Sequence, residues 1–389
     1  MESVILVRYE EIFLKGLNKH IFENKLIKNI KKRLADIAIF DVRKSQSRIY
    51  IESSDSDFDM QEAIIRLQTI FGIASVSPVT KIDSSFDSIK ETSVRMIEDL
   101  ILRKGYKTFK VEAKRADKSF PLNSPKICAE LGAHILKSVP QLKVDVHNPD
   151  FIFFVEIREK TYLYSEIIPA AKGLPTGTGG LGTLLLSGGI DSPVAGWMIA
   201  KRGVQLEAVY FHSHPYTSDR AKDKVIKLAR ILSEWCIGIK LHVVPFTDIQ
   251  LAINEKCPAE YLTIIMRRLM MRIAEKIALQ NNSLGLITGE AIGQVASQTM
   301  ESMLVTNDAV DLPVYRPLVG MDKNEVINLA RKIGTYDTSI LPYEDCCTIF
   351  VAKHPVTKPT LCKTIEYESV LNQDELIDEA IANTEVIEL

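Results

Sequence analysis

The stretch Leu184-Leu185-Leu186-Ser187-Gly188-Gly189-Ile190-Asp191-Ser192 decides the fold of this 389-residue chain. A short apolar run enters a turn of serine and glycine, and a helix is predicted from Asp191 to about Lys201. Two glycines let the backbone curl around an anion, and the N–H groups of residues 187–192 converge at the start of the helix, where an anion is stabilised. The stretch therefore predicts a site for the phosphates of a nucleotide.

Asp191 falls in the first turn of this helix, where a carboxylate suits the helix dipole and can hold a magnesium ion that bridges phosphates. The alternative is an ordinary strand–turn–helix joint with a capping Asp, but the six-position pattern S-G-G-x-D-S in this context favours phosphate binding. No G-x-x-x-x-G-K-[ST] occurs in the chain, so transfer of a γ-phosphate is not favoured. The G-x-G-x-x-G at Gly177, Gly179 and Gly182 precedes a strand instead of following one, and we interpret it as linker.

The loop resembles the PP-loop of the ATP pyrophosphatase superfamily. This resemblance implies that ATP is split between its α- and β-phosphates and that an oxygen atom of the substrate is adenylated. It leaves the substrate open, because the superfamily includes NAD and GMP synthetases, argininosuccinate synthetase and several tRNA-modifying enzymes.

Composition predicts a globular protein with several cores, since 46% of the 389 residues are hydrophobic. No apolar run of about 18 residues occurs, and the first residues lack the features of a secretory signal, so we expect a cytoplasmic protein without a membrane span. Six cysteines are too few and too scattered for a disulfide framework. The absence of C-x-x-C argues against a zinc ribbon or a cluster held by closely spaced cysteines, and no resident metal is expected.

Basic residues are concentrated in the N-terminal half, although the net charge is only -2. Residues 15–48 contain ten Lys and Arg against three Asp and Glu, and residues 103–118 contain seven against two. After Lys363 the chain has no basic residue. Solvated helix faces explain many single runs of this kind, but two runs in the half that lacks the nucleotide loop favour binding of a polyanion such as RNA.

Periodicity predicts two α+β regions before the nucleotide loop. Residues 3–9 alternate as a strand, and Asn18 is predicted to cap the next helix. The apolar face of that helix consists of Ile21, Phe22, Leu26, Ile30 and Leu34. The β-α-β-β-α-β order of a ferredoxin-like domain is completed by strands near 39–43, 48–52 and 73–79 and a helix near 59–70. The second region has helices near 86–104 and 124–138 and strands near 108–115, 142–146, 151–157 and 161–167.

The strand predicted over residues 108–115 has a basic face. Its period-two pattern turns Phe109, Val111 and Ala113 inward and places Lys110 and Lys114 together on the other face. A basic sheet edge of this kind can follow a phosphate backbone.

The region that contains the nucleotide loop is predicted to be a doubly wound α/β domain with a mostly parallel sheet. Apolar strands near 183–186, 206–211, 240–244 and 284–288 alternate with helices near 191–202, 218–235, 260–280 and 322–333. In such a sheet the ligand lies beyond the carboxyl ends of the strands, which points to Leu185, Leu186, Tyr210, Phe211, Gly289 and Glu290. The predicted boundaries are 1–59 for the main part of the ferredoxin-like domain, which extends to about 75, and 60–165 for the second α+β region. A linker over 166–180 precedes the α/β domain over 181–389.

The whole order of motifs resembles the tRNA 4-thiouridine synthetases, the ThiI family of tRNA sulfurtransferases. The opening Val7-Arg8-Tyr9-Glu10-Glu11-Ile12-Phe13-Leu14-Lys15-Gly16 is similar to the start of that family. The stretches Phe71-Gly72-Ile73-Ala74-Ser75-Val76 and Lys114-Arg115-Ala116-Asp117-Lys118-Ser119-Phe120-Pro121 resemble the THUMP domain of tRNA-modifying enzymes. The likeness covers essentially all 389 residues. It implies a PP-loop domain, adenine nucleotide alpha-hydrolase-like, preceded by ferredoxin-like and THUMP domains.

The resemblance implies a reaction in two stages. ATP with Mg²⁺ adenylates O4 of uridine 8 in tRNA, and a cysteine persulfide then supplies sulfur while AMP leaves. Adenylation is needed because a pyrimidine carbonyl oxygen is a poor leaving group. The family also implies sulfur transfer to the ThiS carrier protein for thiazole synthesis in thiamine production. The chain is too short for the rhodanese domain of some members, so a cysteine desulfurase or another persulfide donor is expected, and a homodimer is a further expectation.

The family's ATP site maps onto residues of this sequence. Besides the loop residues Ser187, Gly188, Gly189, Asp191 and Ser192, the matching positions are Leu185, Leu186, Tyr210, Phe211, Arg267, Gly289 and Gln298. The residues themselves do not separate Arg267 from Arg268, either of which can be a solvated helix charge. Lys323 matches a family position and can balance pyrophosphate charge, or it can belong to a helix surface that Asp322 and Glu325 cap. The tRNA-binding residues implied are Lys110, Lys114, Arg115 and Lys118.

The family match identifies Cys346 as the sulfur carrier. A persulfide suits an accessible thiolate, and Lys353 or His354 can help to stabilise it. A free cysteine is often only a small buried apolar residue, but two adjacent cysteines, Cys346 and Cys347, favour the functional interpretation. The thiol that resolves the spent carrier stays open among Cys347, Cys257, Cys362 and an external thiol.

Two other functions stay open at this point. One is another PP-loop ligase or tRNA thiolase, such as a 2-thiouridine-forming enzyme or an amide-forming synthetase. The THUMP-like region and the adjacent cysteines argue against the amide-forming synthetase. The other is a tRNA-binding protein whose PP-loop only senses nucleotide.

Overall fold

The computed structural model describes residues 2–45, 47–53, 58–343 and 355–389. These residues form two compact units, Met1–Lys172 and Gly173–Leu389. Within the described ranges, no helix combines the length and apolar character needed to cross a membrane.

The first unit begins with the predicted β-α-β-β-α-β order. Its elements are β1 (Glu2–Arg8), a 3₁₀ segment (Glu11–Asn18), α1 (Lys19–Leu34), β2 (Phe40–Ser45), β3 (Arg48–Ser53), α2 (Met60–Gln68) and β4 (Ser75–Ile82). Two details of the prediction are wrong. Asn18 makes no side-chain cap, because the chain is already helical before it, and Ile21 is 52% exposed. The buried face of α1 uses Leu26, Ile30 and Leu34.

The unit continues with a second α+β set. Its elements are α3 (Phe86–Lys104), β5 (Thr108–Arg115), α4 (Ser124–Ser138), β6 (Lys143–Val144), β7 (Phe151–Ile157), β8 (Thr161–Tyr164) and β9 (Ile168–Pro169). Both predicted helices are confirmed at both ends. Their starts are readable from the sequence because Ser85 accepts a hydrogen bond from Ser88 N and Asn123 accepts one from Lys126 N.

One sheet runs through the whole first unit. Its strand order is β2-β3-β1-β4-β8-β7-β5-β6, with β9 also paired to β4. The antiparallel pairing of β4 with β8 joins the two α+β sets into a single sheet. The inward positions predicted for β5 are confirmed, since Phe109 and Val111 are buried and Ala113 packs on the same core.

The second unit is built around the predicted nucleotide loop. Its strands are β10 (Leu181–Leu185), β11 (Gln205–His212), β12 (Lys240–Pro245), β13 (Leu286–Ile287), β14 (Val314–Tyr315) and β15 (Glu385–Glu388). Its helices are α5 (Asp191–Ala200), α6 (Asp219–Cys236), α7 (Thr247–Lys256), α8 (Leu262–Gln280), α9 (Met300–Asn307), α10 (Lys323–Ile333), α11 (Tyr336–Ser339), α12 (Leu361–Glu368) and α13 (Gln373–Ala382).

The sheet of the second unit has the order β14-β13-β10-β11-β12-β15. All pairings are parallel except that of β12 with the C-terminal strand β15, which confirms the predicted mostly parallel sheet. From β10 the chain adds β11 and β12 on one side and later β13 and β14 on the other. The order therefore reverses between β10 and β13, and a crevice is expected outside their carboxyl ends.

Candidate nucleotide site

A cavity of about 340 Å³ lies at the carboxyl ends of β10, β11 and β13. Ten residues predicted for ATP binding line it: Leu185, Leu186, Ser187, Asp191, Ser192, Tyr210, Phe211, Arg267, Gly289 and Gln298. Gly188 and Gly189 belong to the loop that borders the cavity. The structure thus brings together residues that lie more than one hundred positions apart in the sequence.

The loop over residues 187–192 is closed by its two serines. Ser192 Oγ accepts a hydrogen bond from Ser187 N at 2.9 Å, and Gly189 N donates to Ser187 Oγ at 3.2 Å. The residue that precedes α5, Ile190, offers no side-chain cap to the helix. Because the first N–H groups of a helix need partners, an external anion can take the place of the missing cap.

Gly289 brings the end of β13 against the start of α5. A Cβ atom on Gly289 would lie 2.7 Å from Ser192 N and 2.9 Å from Ser192 Cα. Backbone atoms at these distances cannot move aside as a flexible side chain can. The absence of a side chain at Gly289 is therefore what lets the two segments meet in one wall of the cavity.

Asp191 and Lys323 meet at the mouth of the loop. Lys323 Nζ donates to Asp191 Oδ1 at 2.7 Å, and Gln294 Nε2 donates to Asp191 Oδ2 at 2.8 Å. Asp322 caps α10 and makes a capping box with Glu325, which confirms the predicted helix cap. The cap orients the helix while Lys323, its first residue, reaches Asp191. Sequence reasoning did not identify Gln294.

A cluster of three charged residues, Arg267, Glu290 and Arg316, stands beside the loop, and we call it the cavity cluster. Arg267 pairs with Glu290 Oε1, and Arg316 Nε donates to Glu290 Oε2 at 2.7 Å. Thr288 Oγ1 donates to the same oxygen at 2.9 Å. Glu290 is only 4% exposed. Burial raises the pKa of Glu290, but the charges of the two arginines outweigh burial and hold its pKa below the ordinary value.

Arg268 belongs to a second cluster on another side of α8. Its guanidinium donates to Glu368 Oε2 at 2.8 Å and Oε1 at 3.0 Å, and Arg272 donates to Oε1 at 2.7 Å. We call Arg268, Arg272 and Glu368 the closed cluster, because Arg268 is 1% and Glu368 3% exposed. Of these two adjacent arginines, Arg267 lines the cavity and Arg268 does not.

The other end of the cavity is apolar. Tyr210 and Phe211 are buried on β11, and Met270 and Met271 of α8 line the same cavity. Sequence reasoning missed both methionines, although Thr263, Arg267, Met270 and Met271 follow the spacing of one helix face. Glu290 was predicted at this place from the strand-end rule, and it lines the cavity. The remaining lining residues that sequence reasoning did not assign are Thr263, Thr288, Val295, Ser297 and Thr306.

The cysteines differ in exposure. Cys346 and Cys347, together with Lys353 and His354, lie outside the described residues. Cys362 is exposed near the start of α12, whereas Cys257 is buried and its Sγ donates to Tyr367 O at 3.5 Å. Burial and the nearby Glu368 charge raise the pKa of the Cys257 thiol.

The basic residues of β5 lie on an open stretch of strand. The edge strand β6 pairs only with Thr108 and Phe109. Lys114 and Lys118 are exposed, and Lys110 pairs with Glu112 at 3.0 Å. Arg115 is tied to its own unit, since it donates to Phe120 O at 2.8 Å and to Leu122 O at 3.4 Å.

Family models match three parts of the chain. The model described as Thiamine biosynthesis protein (ThiI) matches residues 177–372. The ThiI ferredoxin-like domain matches residues 4–77, and the THUMP domain matches residues 83–166. The chain belongs to the ThiI family. These matches confirm the predicted fold class of a PP-loop domain preceded by ferredoxin-like and THUMP regions.

Other ThiI proteins align with the chain over its whole length. A protein of Acetivibrio thermocellus named probable tRNA sulfurtransferase is 63% identical over 387 residues, which is 100% of this chain and 99% of the relative. A protein of the same name from Caldanaerobacter subterraneus subsp. tengcongensis is 56% identical and covers 100% of both chains.

Solved structures agree with this membership. A crystal structure of a 4-thiouridine synthetase in complex with RNA and with bound ATP is 39% identical to this ThiI chain, covers 100% of both chains and has a TM-score of 0.94. PH1313 from Pyrococcus horikoshii Ot3 is 27% identical, covers 85% of this chain and 99% of that one, and has a TM-score of 0.68.

Proposed function

We propose that this ThiI protein is a tRNA uridine 4-sulfurtransferase, which uses ATP to convert uridine 8 of tRNA into 4-thiouridine. The observation that carries the proposal is the cavity that residues of the 187–192 loop, among them Asp191, line together with Arg267, while Lys323 donates to Asp191. The full-length likeness to a 4-thiouridine synthetase with bound RNA and ATP supports it.

ATP is proposed to lie with its phosphates at the loop and its adenine in the apolar end of the cavity. The backbone of Leu185 and Leu186 at the strand end can hydrogen-bond adenine, while Tyr210 and Phe211 wall the pocket. Arg267 neutralises phosphate charge. Gln298 is held next to the site, since its Oε1 accepts from Ala291 N at 3.3 Å.

Magnesium fits the donor set at the loop. Mg²⁺ binds through one or two carboxylates together with substrate phosphates, and Asp191 supplies a carboxylate in the first turn of α5. The ion would neutralise phosphate charge when it accompanies ATP. Lys323 adds a positive charge at the same carboxylate and is proposed to balance the pyrophosphate that leaves.

The proposed chemistry has three balanced steps. In the first, O4 of uridine attacks the α-phosphorus of ATP, the bond to the β-phosphate breaks and pyrophosphate leaves. In the second, the terminal sulfur of a Cys346 persulfide attacks C4, and the C4–O4 bond breaks with release of AMP, which leaves C4 joined to Cys346 through a disulfide. In the third, a thiolate attacks Cys346 Sγ, the S–S bond breaks with release of 4-thiouridine, and the new disulfide on Cys346 is reduced by an external thiol. Because O4 leaves as part of AMP, water does not supply or receive that oxygen.

Cys346, which lies outside the described residues, is proposed as the carrier. The described segment before it is held by Lys224, which is buried on α6 and donates to Leu341 O at 2.9 Å and to Tyr343 O at 3.4 Å. A second thiol must attack Cys346 in the third step. Among the described candidates, exposed Cys362 suits this role better than buried Cys257, while Cys347 and an external thiol stay open.

The first unit is proposed to hold the tRNA. Lys110, Lys114 and Lys118 offer basic groups on and beside the open part of β5, and Arg115 orders the turn that follows. Phosphate contacts of this kind position a nucleic acid without reading its sequence. A homodimer in which one chain holds the tRNA for the other's cavity is part of this proposal.

The proposed reaction takes place in the cytoplasm with a sulfur donor. A cysteine desulfurase or another persulfide donor is proposed to load Cys346, and the same persulfide is proposed to serve the ThiS carrier. Sulfur at the oxidation level of a persulfide is what the second step consumes, so the donor must deliver sulfur at that level.

Nucleoside mass spectrometry tests the proposal. An unmodified tRNA transcript is incubated with the protein, ATP, Mg²⁺, cysteine and a cysteine desulfurase. We expect 4-thiouridine at position 8 only when ATP is present. Cys346→Ala should release pyrophosphate without thiolation, with Cys347→Ala as the matched variant. Thiolation by Cys346→Ala would show that Cys346 is not the carrier. Pyrophosphate release without any thiolated nucleoside would show that the proposed acceptor or donor is wrong.

A further inference from the structure

Glu290 raises a problem for the nucleotide site. A buried carboxylate lines the cavity that is proposed to receive the phosphates of ATP. Like charges in a poorly solvated site repel strongly, so an uncompensated carboxylate there would oppose binding. Arg267 alone would only cancel it, leaving a neutral pair with no net attraction for a phosphate.

Arg316 changes this balance from outside the cavity. It is not among the residues that line the cavity, yet its Nε holds Glu290 Oε2 at 2.7 Å and its Nη1 donates to Asn307 Oδ1 at 3.1 Å. Its Nη2 is buried and finds no hydrogen-bond acceptor among the described residues. One carboxylate between two guanidiniums gives the cavity cluster a net charge of +1.

The cluster also fixes the position of Arg267. Glu290 Oε2 is occupied by Arg316 and Thr288, so Oε1 is the oxygen that faces Arg267. A second hold comes from Ser297, whose carbonyl oxygen accepts from Arg267 Nη1 at 2.9 Å. A guanidinium held in this way has already lost much of its rotational freedom before a phosphate arrives.

We propose that Arg316 is a positioning residue of the nucleotide site, which acts through Glu290 to hold Arg267 in the cavity and to keep the cluster positive for an ATP phosphate. The inference rests on the proposed function, because it takes ATP as the ligand. It goes beyond that function in assigning a role to a residue that does not line the cavity.

The closed cluster provides a matched control. Arg272 stands to Glu368 as Arg316 stands to Glu290, since each is the second guanidinium on a buried carboxylate that another arginine of α8 already holds. Arg316→Gln and Arg272→Gln each remove this second guanidinium, although in the closed cluster Arg268 also pairs with Asp308 at 3.2 Å. A merely structural role for Arg316 predicts the same kinetic behaviour for both variants.

The experiment measures KM for ATP and kcat in tRNA-dependent pyrophosphate release. We expect Arg316→Gln to raise KM for ATP on the order of ten- to a hundredfold, with a smaller change in kcat, because the charge acts on bound ATP and on the transition state alike. Arg272→Gln should leave KM for ATP within about twofold, since its cluster is closed to the cavity. Equal KM values for the two variants would overturn the inference.

A double variant tests the charge itself. Arg316→Gln with Glu290→Gln restores a net charge of +1, and the new amide oxygen can still accept a hydrogen bond from Arg267. We expect KM for ATP to return most of the way to the wild-type value. No recovery would overturn the inference, because packing and not charge would then explain the first variant.

A second variant keeps the inference testable if Arg316→Gln does not fold. Arg316→Lys keeps the charge and should hold KM for ATP within a few fold of the wild-type value. A KM as high as that of Arg267→Gln would contradict the inference. Absence of ATP binding and pyrophosphate release by the wild-type protein would refute the proposed function itself. Normal wild-type turnover with an unaltered Arg316→Gln refutes only the role of Arg316.

Discussion

Helix α8 contributes arginines to two arginine–glutamate–arginine clusters, and in the second of them Arg268 also pairs with Asp308 at 3.2 Å. Arg267 and Arg268 are adjacent, so their side chains leave the helix about 100° apart. One enters the cavity cluster with Glu290, and the other enters the closed cluster with Glu368. The closed cluster ties α8 to α12, whereas the cavity cluster presents a guanidinium to an open space. Similar charged groups are therefore closed off on one side and open to a cavity on the other, where they are proposed to bind a ligand.

The largest effects are expected when Arg267 or Arg268 is replaced by glutamine. One variant should mainly lose activity and the other should mainly lose stability. Arg268→Gln leaves Glu368 buried with less compensation, and we expect a loss of about 3 to 5 kcal/mol in the free energy of unfolding. Arg267→Gln should lose at least about a hundredfold in pyrophosphate release, as expected when a charge-assisted contact to phosphate is removed, with a smaller loss of stability. Urea denaturation and pyrophosphate assays measure the two. If both variants lost stability and pyrophosphate release to the same extent, the two clusters would not have different roles.

Gly289 extends the comparison to the backbone of the cavity wall. Gly289→Ala places a Cβ against Ser192, so we expect a loss of about 1 to 3 kcal/mol in the free energy of unfolding together with weaker ATP binding. Gly320→Ala is the matched control, because nothing lies within 4 Å of a Cβ there. Thermal unfolding with and without ATP measures both quantities. An unchanged ATP-dependent shift in Gly289→Ala would show that the contact does not shape the cavity.

Acid titration compares the two carboxylates, whose pKa values both lie below the ordinary 4.5. Burial raises the pKa of Glu368, but the side chains of Arg268 and Arg272 lower it further than burial raises it. A carboxylate whose pKa is depressed in the folded state stabilises the fold above its unfolded-state pKa, and this contribution disappears as pH falls through the folded-state pKa.

We therefore expect the free energy of unfolding to decrease as pH falls below 4.5, and to decrease less steeply in Glu368→Gln and in Glu290→Gln. At neutral pH only Glu290→Gln should change the shift in melting temperature that ATP produces. Urea denaturation at a series of pH values measures the slopes. Slopes parallel to that of the wild type would mean that neither carboxylate is ionised preferentially in the folded protein.

The smallest expected effects concern the reactivity of two cysteines, Cys257 and Cys362. Cys257 lies near the closed cluster, and Cys362 is exposed. We expect iodoacetamide to label Cys362 in the folded protein before it labels Cys257, because reaction requires an accessible thiolate. Peptide mass spectrometry reads the order of labelling. In thiolation assays Cys257→Ser should keep repeated turnover, and loss of turnover in that variant would reassign the resolving thiol.

Local signals in the sequence were enough for much of the fold. The strand, loop and helix around residues 187–192 follow from glycine and helix-start chemistry, and α3, α4 and α10 begin at side-chain caps that can be read directly. The helices α7 and α9 were not predicted, because each is short and shows little amphipathic periodicity. The strand β15 was not predicted either, since its pairing with β12 joins residues far apart in the chain.

Site residues that directly follow the ends of strands could be predicted from the sequence. Side chains whose position depends on a partner far along the chain could not. Leu185, Tyr210 and Gly289 lie in the cavity because parallel strands end at the same edge of the sheet. Arg267 and Arg268 were indistinguishable because the partner of Arg268 is Glu368, one hundred residues along the chain. The role of Arg316 depends on Glu290 in the same way, and no local pattern records such a pair. The domain boundaries predicted from the sequence stay predictions.

The cavity is proposed to adenylate O4 of uridine so that sulfur can replace it. This step can be followed with tRNA whose uridine 8 carries oxygen-18 at O4, with AMP analysed by mass spectrometry after one turnover with the loaded protein. We expect AMP to contain the oxygen-18 in the same amount as 4-thiouridine is formed. Unlabelled AMP, with the oxygen-18 found in water or in pyrophosphate, would contradict it.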